Sequence, residues 1–167
     1  MLKPIYLLII CVVLNITLFS QKIIVGSKIN PLITVSSISN KPFLLKDLPP
    51  NSFYVFCVVD SFNNQLSDSL IKIKRLGKSI SSVCILNTMP DKVLFKTALT
   101  RLDSLGIILF VDKDREFHRS LSSKKLPQYF IVDNSFSVLQ QPNNISNIYY
   151  YFNRYYLINN NLVDKVL

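Results

Sequence analysis

Two seven-residue runs constrain this chain more than anything else in it. FYVFCVV (Phe53–Val59) is apolar at every position, and ISSVCIL (Ile80–Leu86) follows it at a distance of one helix. A strand alternates its side chains between two faces, so a run without a polar face needs cover on both sides. Between the runs, Leu66, Leu70, Ile73 and Leu76 recur at helical spacing from Asn64 onward, and Gly77 is placed to close the helix. Strand, helix and strand over Phe53–Leu86 make a βαβ unit.

The flanks extend the pattern. LITVSSI (Leu32–Ile38) and PFLLKDL (Pro42–Leu48) read as strands joined by Ser39-Asn40-Lys41, and Pro49-Pro50-Asn51 breaks the chain before the first run. Asp91–Leu105 reads as a second helix with Val93, Leu94, Ala98 and Leu102 on its apolar side. IILFV (Ile107–Val111) is a further short strand, and Asp114–Lys124 a short helix with the sole histidine, His118. LPQYFIVD and SVLQQ read as strands around the turn pair Asn134-Ser135. Ile145, Ile148, Tyr149, Phe152 and Tyr156 line one face of a last helix. The expected fold class is α/β: a thioredoxin-like arrangement, with a central mixed β-sheet flanked by helices and an N-terminal β-hairpin extension.

The first twenty residues are an address. Lys3 precedes an apolar run from Ile5 to Phe19, and Ser20-Gln21 is a plausible cleavage junction. That is the pattern of a secretory signal peptide. An uncleaved anchor is the alternative, although the run is short and is interrupted by Asn15 and Thr17. Cys11 follows Ile10 and has apolar residues after it, which does not fit lipidation. The expected division is a leader over 1–20, a domain over 26–158 and a tail over 159–167. The expected location is exported, in the periplasm or cell envelope.

At 167 residues the chain is long enough to bury a core without disulfides, and three cysteines make a poor framework in any case. The formal charge is +9, yet its tightest basic group, Lys72, Lys74, Arg75 and Lys78, falls in outward pairs on a helix. No basic run is interleaved with stacking aromatics, so nucleic acid is not an expected partner. Asp112-Lys113-Asp114-Arg115-Glu116 lacks the glycine and the later glutamate of a calcium loop and reads as a solvated turn. Cysteine and histidine fall in no zinc spacing, and three glycines build no phosphate cradle, so neither a metal nor a cofactor is expected.

Four segments resemble the exported thiol–disulfide oxidoreductases of the thioredoxin superfamily, in its redoxin (alkyl hydroperoxide reductase/thiol-specific antioxidant) branch. They are GSKINPLITVSSISNKPFLLKDL, FYVFCVVDSF, DKDREFHRSLSSKKLPQYFIVD and the turn at Asn134-Ser135. The resemblance covers roughly Gly26 to Leu157. It implies that Pro127 is the proline held in the cis form, in a loop that faces the active site and helps hold an extended substrate peptide. It also implies Cys-x-x-Cys after the central strand, and there the chain departs: the positions are Ser61 and Asn64, in Ser61-Phe62-Asn63-Asn64.

That departure removes the chemistry. A helix N-terminus lowers a cysteine pKa and supplies the attacking thiolate, but it cannot bring a serine hydroxyl near neutrality. Ser61 or Asn64 is expected instead to cap the helix. Cys57 and Cys84 stand on adjacent strands, where side chains run side by side and a bridge is strained; they read as buried small hydrophobes. The expected function is that of a non-catalytic component binding an envelope protein or peptide, with Pro127, Ser61 and Phe62 as contact residues. Two alternatives stay open. One is a thiol–disulfide oxidoreductase of unusual layout using Cys57 and Cys84. The other is an envelope assembly component using the tyrosines of the last helix, Tyr149 to Tyr151, Tyr155 and Tyr156.

Overall fold

The computed structural model describes residues 23–39, 41–88, 99–123 and 125–159, and the side chains of the last helix as far as Tyr155. The expected leader with Cys11 and the Ser20-Gln21 junction, and the start of the second helix with Val93, Leu94 and Ala98, lie outside the described residues. So do the tail beyond Asn159 and the Tyr156 side chain.

Seven strands form one mixed sheet. In chain order they are β1 (Thr34–Ser37), β2 (Pro42–Leu44), β3 (Phe53–Val59), β4 (Ile80–Leu86), β5 (Ile108–Val111), β6 (Gln128–Asp133) and β7 (Val138–Gln140). Their spatial order is β2-β1-β5-β4-β3-β6-β7. The helices are α1 (Asn64–Lys74), a segment α2 that is helical over 99–104, α3 (Glu116–Ser120) and α4 (Ile145–Asn159). The expected α/β arrangement with a leading hairpin is the one observed. β1 and β2 pair antiparallel, and β3, β4 and β5 run parallel to one another. β6 returns antiparallel beside β3.

All seven residues of β3 are buried, as a run without a polar face requires, and so are all seven of β4, Ser81 and Ser82 included. Alternate residues serve two cores. Phe53, Val55, Cys57 and Val59 face α1, α2 and α4, where Leu70, Ile73, Leu102, Ile148 and Phe152 pack against them. Tyr54, Phe56 and Val58 face the opposite layer, built from Phe117 of α3 and from Ile23, Ile29 and Ile33 of the entering chain. Each such side chain contributes roughly 1.5–3 kcal/mol on burial, so the two faces together set the fold. Packing starts earlier than the expected Gly26. Ile23 is 1% exposed, and its N–H donates to Ser120 O at 2.7 Å.

Beyond shifts of one or two residues at strand ends, local details differ from the sequence reading at β2, α1, α3 and the β6–β7 turn. β2 stops at Leu44, and Leu45–Asp47 tightens into a 3-10 turn. α1 ends at Lys74 with Arg75 as its C-cap, whereas Gly77 takes no left-handed φ and belongs to the turn into β4. α3 is shorter than expected: Arg115 before it is left-handed at φ 56°, and Leu121 after it is extended and buried. In the β6–β7 turn, Asn134-Ser135 lies as expected, but the left-handed residue is Phe136 at φ 64°. Its ring stacks on Tyr54 at 5.7 Å between centroids.

Entering the sheet, residues 26–29 run alongside β7. Gly26 N–H donates to Val138 O at 2.9 Å, Val138 N–H to Ser27 O at 2.8 Å, and Ile29 N–H to Phe136 O at 2.8 Å.

Candidate functional site

The end of β3, the start of α1 and the loop before β6 meet around a cleft of about 320 Å³. β3 delivers Asp60 and Ser61 to its rim, and α1 adds Asn63 and Gln65. Leu126, Pro127 and Tyr129 form the facing wall, and Ile145 at the first turn of α4 closes one side. The Leu126–Pro127 peptide is cis, as the resemblance implies, and Pro127 is exposed.

Of the three expected contact residues, the structure brings Ser61 and Pro127 to the same cleft. Phe62 is turned away: it is half-buried and packs against the apolar core beneath α1, α2 and α4. An aromatic ring one position from a strand end gains more from that core than from water. Asn64 is the first residue of α1, and neither it nor Ser61 is the cap. That role falls to Asn63, whose Oδ1 accepts from Leu66 N–H at 2.8 Å. Asn63 has the extended backbone that lets a side chain reach back over the first turn.

The Pro127 wall is held from below by Gln128. The residue is 6% exposed, and its Nε2 donates to Ser123 O at 2.7 Å and to Lys125 O at 3.0 Å. Its Oε1 accepts from Gln141 Nε2 at 3.3 Å, completing a buried amide's requirements. Sequence periodicity cannot signal this anchor, because its partners are carbonyls of a loop.

Beside Asp60 lies a polar network that the sequence reading missed. Asn87, just past β4, donates through Nδ2 to Asp60 Oδ1 at 3.1 Å, and the same nitrogen lies 3.4 Å from His118 Nδ1. The Asn87 Oδ1 is buried with no hydrogen-bond partner among the described residues. Asp112, expected in a solvated turn, is fully buried. Its carboxylate caps α3 by accepting from His118 N–H at 2.7 Å and Phe117 N–H at 3.2 Å. Burial pushes the Asp112 carboxyl up, and those two backbone bonds offset part of the rise. His118 is thus part of a half-buried network and not a plain surface residue.

The thiols are elsewhere. Cys57 and Cys84 are register partners on the parallel strands β3 and β4, and both are free and 0% exposed. Burial pushes the Cys57 thiol up to about 12 and the Cys84 thiol well above its ordinary value, Cys57 adding to the latter rise. At neutral pH neither supplies appreciable thiolate. Tyr129, which lines the cleft, is the β6 register partner of Cys57. Among the described residues no group of histidine, cysteine and carboxylate side chains is arranged to hold a metal ion. No described helix is long and apolar enough to cross a membrane.

No family model and no curated protein matches the sequence. Solved structures do resemble the fold. A thioredoxin-like protein from Bacteroides caccae is 14% identical with a TM-score of 0.56, over 83% of this chain and 52% of that one. The chain spans about half the length of that protein. The thioredoxin domain of a thiol-disulfide oxidoreductase from Bacteroides vulgatus is 12% identical with a TM-score of 0.60, over 80% and 99%. A secreted disulfide oxidoreductase from Mycobacterium tuberculosis is 15% identical with a TM-score of 0.50, over 68% and 84%. At such identities the likeness is one of architecture, and it agrees with the strand order, the cis-proline and the helix-capped cleft: the chain has a thioredoxin-like fold.

Proposed function

We propose that this is an exported protein that uses the cleft between α1 and Pro127 to bind an extended peptide or protein segment without thiol chemistry. The observation that carries this reading is a separation. The cleft is open beside the helix start but presents Ser61 at the first position where the resemblance implies a cysteine, while the two described thiols lie sealed in the sheet. A serine beside a helix N-terminus gains no useful acidity. Burial of Cys57 and Cys84 likewise weighs against an oxidoreductase that uses this pair, since exchange needs an accessible thiolate. The redoxin branch and the envelope location rest on the sequence patterns at Gly26–Leu157 and Met1–Ser20.

The test is a paired measurement. Random dodecapeptides displayed on phage are panned against the purified protein, and a selected peptide is then titrated by fluorescence anisotropy. Binding is expected to survive the Cys57→Ser/Cys84→Ser double change and to fall sharply in Pro127→Ala, with circular dichroism confirming the fold of each. The reading fails if no peptide is selected. It also fails if the unmodified protein reduces a disulfide-bonded peptide and the double cysteine variant does not. The mass of protein recovered from its native envelope is expected to begin at Gln21, and an intact Met1 there would favour the anchor.

A further inference from the structure

A second concavity, about 670 Å³, lies along α4 beside the end of β7. We infer that it receives the continuation of the same bound segment and that this continuation carries acidic side chains. The inference rests on the peptide-binding reading of the Pro127 cleft.

Continuity is the first argument. Gln141 lines the α4 groove, and its amide is the donor to Gln128, the residue directly after Pro127. α4 itself borders both depressions, with Ile145 on the cleft and Asn147 on the groove. Ile145 and Asn147 stand on different sides of the first turn of α4, so a segment leaving the Pro127 wall reaches the groove by passing over that turn, roughly 10 Å or about three extended residues.

Chemistry is the second. Tyr151 and Tyr155 are fixed as walls: Tyr151 stands edge-on to Phe152 at 5.4 Å, and Tyr155 edge-on to Phe53 at 5.0 Å. Tyr150 is 67% exposed, a large ring left at the surface at the groove's mouth. Rigid tyrosines give contact area at low cost in side-chain freedom, and the amides of Gln141 and Asn147 match the donors and acceptors of an extended backbone. Charge then selects the class. Arg154 lines the groove, no aspartate or glutamate does, and among the described residues Arg154 forms no salt bridge. The whole chain carries +9, so its far field also draws acidic partners.

The test uses the same dodecapeptide selection, run on the unmodified protein and on Arg154→Glu. Selected sequences are expected to be enriched in Asp and Glu on one side of the segment that contacts the Pro127 cleft. Arg154→Glu is expected to lower the affinity of an acidic selected peptide about fivefold to tenfold and to shift new selections toward Lys and Arg. Tyr150→Ser is expected to weaken acidic and neutral peptides alike. Selected peptides without acidic enrichment, or an enrichment unchanged by Arg154→Glu, overturn this inference while leaving the cleft reading intact. Failure to select any peptide overturns both. A concentration-dependent dimer that dissolves in Arg154→Glu gives the groove to a second copy and also overturns it.

Discussion

Two parts of this molecule divide between them what a thiol enzyme needs in one place. The cleft at Pro127 has access, a helix N-terminus and polar walls, and no sulfur. The paired positions Cys57 and Cys84 have sulfur, and neither solvent nor a stabilising charge. They are less than one strand length apart: Cys57 lies in the middle of β3, with Cys84 beside it on β4, and Asp60 and Ser61 lie just beyond the end of β3. The difference teaches that reactivity here is set by position along the strand, because a few residues of chain carry a side chain from the core to the rim.

The comparison breaks most readily if sulfur is moved to the rim. Ser61→Cys is expected to alkylate on the order of 10³-fold faster at neutral pH than Cys57 or Cys84, since a thiol near its ordinary pKa supplies far more thiolate than one near 12. Timed native alkylation read by mass spectrometry checks this, and equal rates at the three positions would end the argument. The reverse change tests the core. Cys57→Ser places a hydroxyl in an apolar layer and is expected to cost about 1–3 kcal/mol in urea unfolding while peptide affinity stays constant.

A smaller effect distinguishes the residues at the helix start. Asn63→Ala is expected to lose about 1 kcal/mol through the lost cap, whereas Ser61→Ala and Asn64→Ala stay within about 0.5 kcal/mol. Equal costs at all three would return the cap to the positions the sequence suggested. The smallest effect lies at the far end of β6. Burial pushes the Asp133 carboxyl up, but hydrogen bonds from Ser137 and Ser135, with Lys28 nearby, outweigh it and hold the carboxyl below its usual range. A depressed folded-state value stabilises above the unfolded carboxylate pKa and is lost as pH falls through the folded one. The difference in stability between the unmodified protein and Asp133→Asn is therefore expected to be present at neutral pH and to shrink below pH of about 4. A gap that widens on acidification would reverse the sign of that coupling.

The elements that periodicity could reveal were those whose burial is two-sided or helical. β3 and β4 have the bounds read from FYVFCVV and ISSVCIL, because FYVFCVV has no polar face and ISSVCIL only Ser81 and Ser82, so both strands need cover on two sides. Pro127 was legible through its place before β6. What escaped was whatever depends on distant partners. Asp112 looks solvated among Lys113 and Arg115 until α3 folds back and offers it two N–H groups. Gln128 reads as one polar residue in a strand until its loop carbonyls close over it. Phe62, read as a contact residue, turned to the core because that core lies immediately beneath it. The tyrosines of α4 were visible as a group, but only the backbone geometry separates the exposed Tyr150 from Tyr151 and Tyr155 at its side.

The strap formed by residues 26–29 has a consequence for how other chains meet this one. It occupies hydrogen-bonding groups of Phe136 and Val138 that β7 would otherwise offer, and at the opposite margin β2 is three residues long and begins with a proline that has no N–H to give. Neither margin is a good template for an added strand. The molecule is thereby guarded against edge-to-edge pairing of its sheet with another.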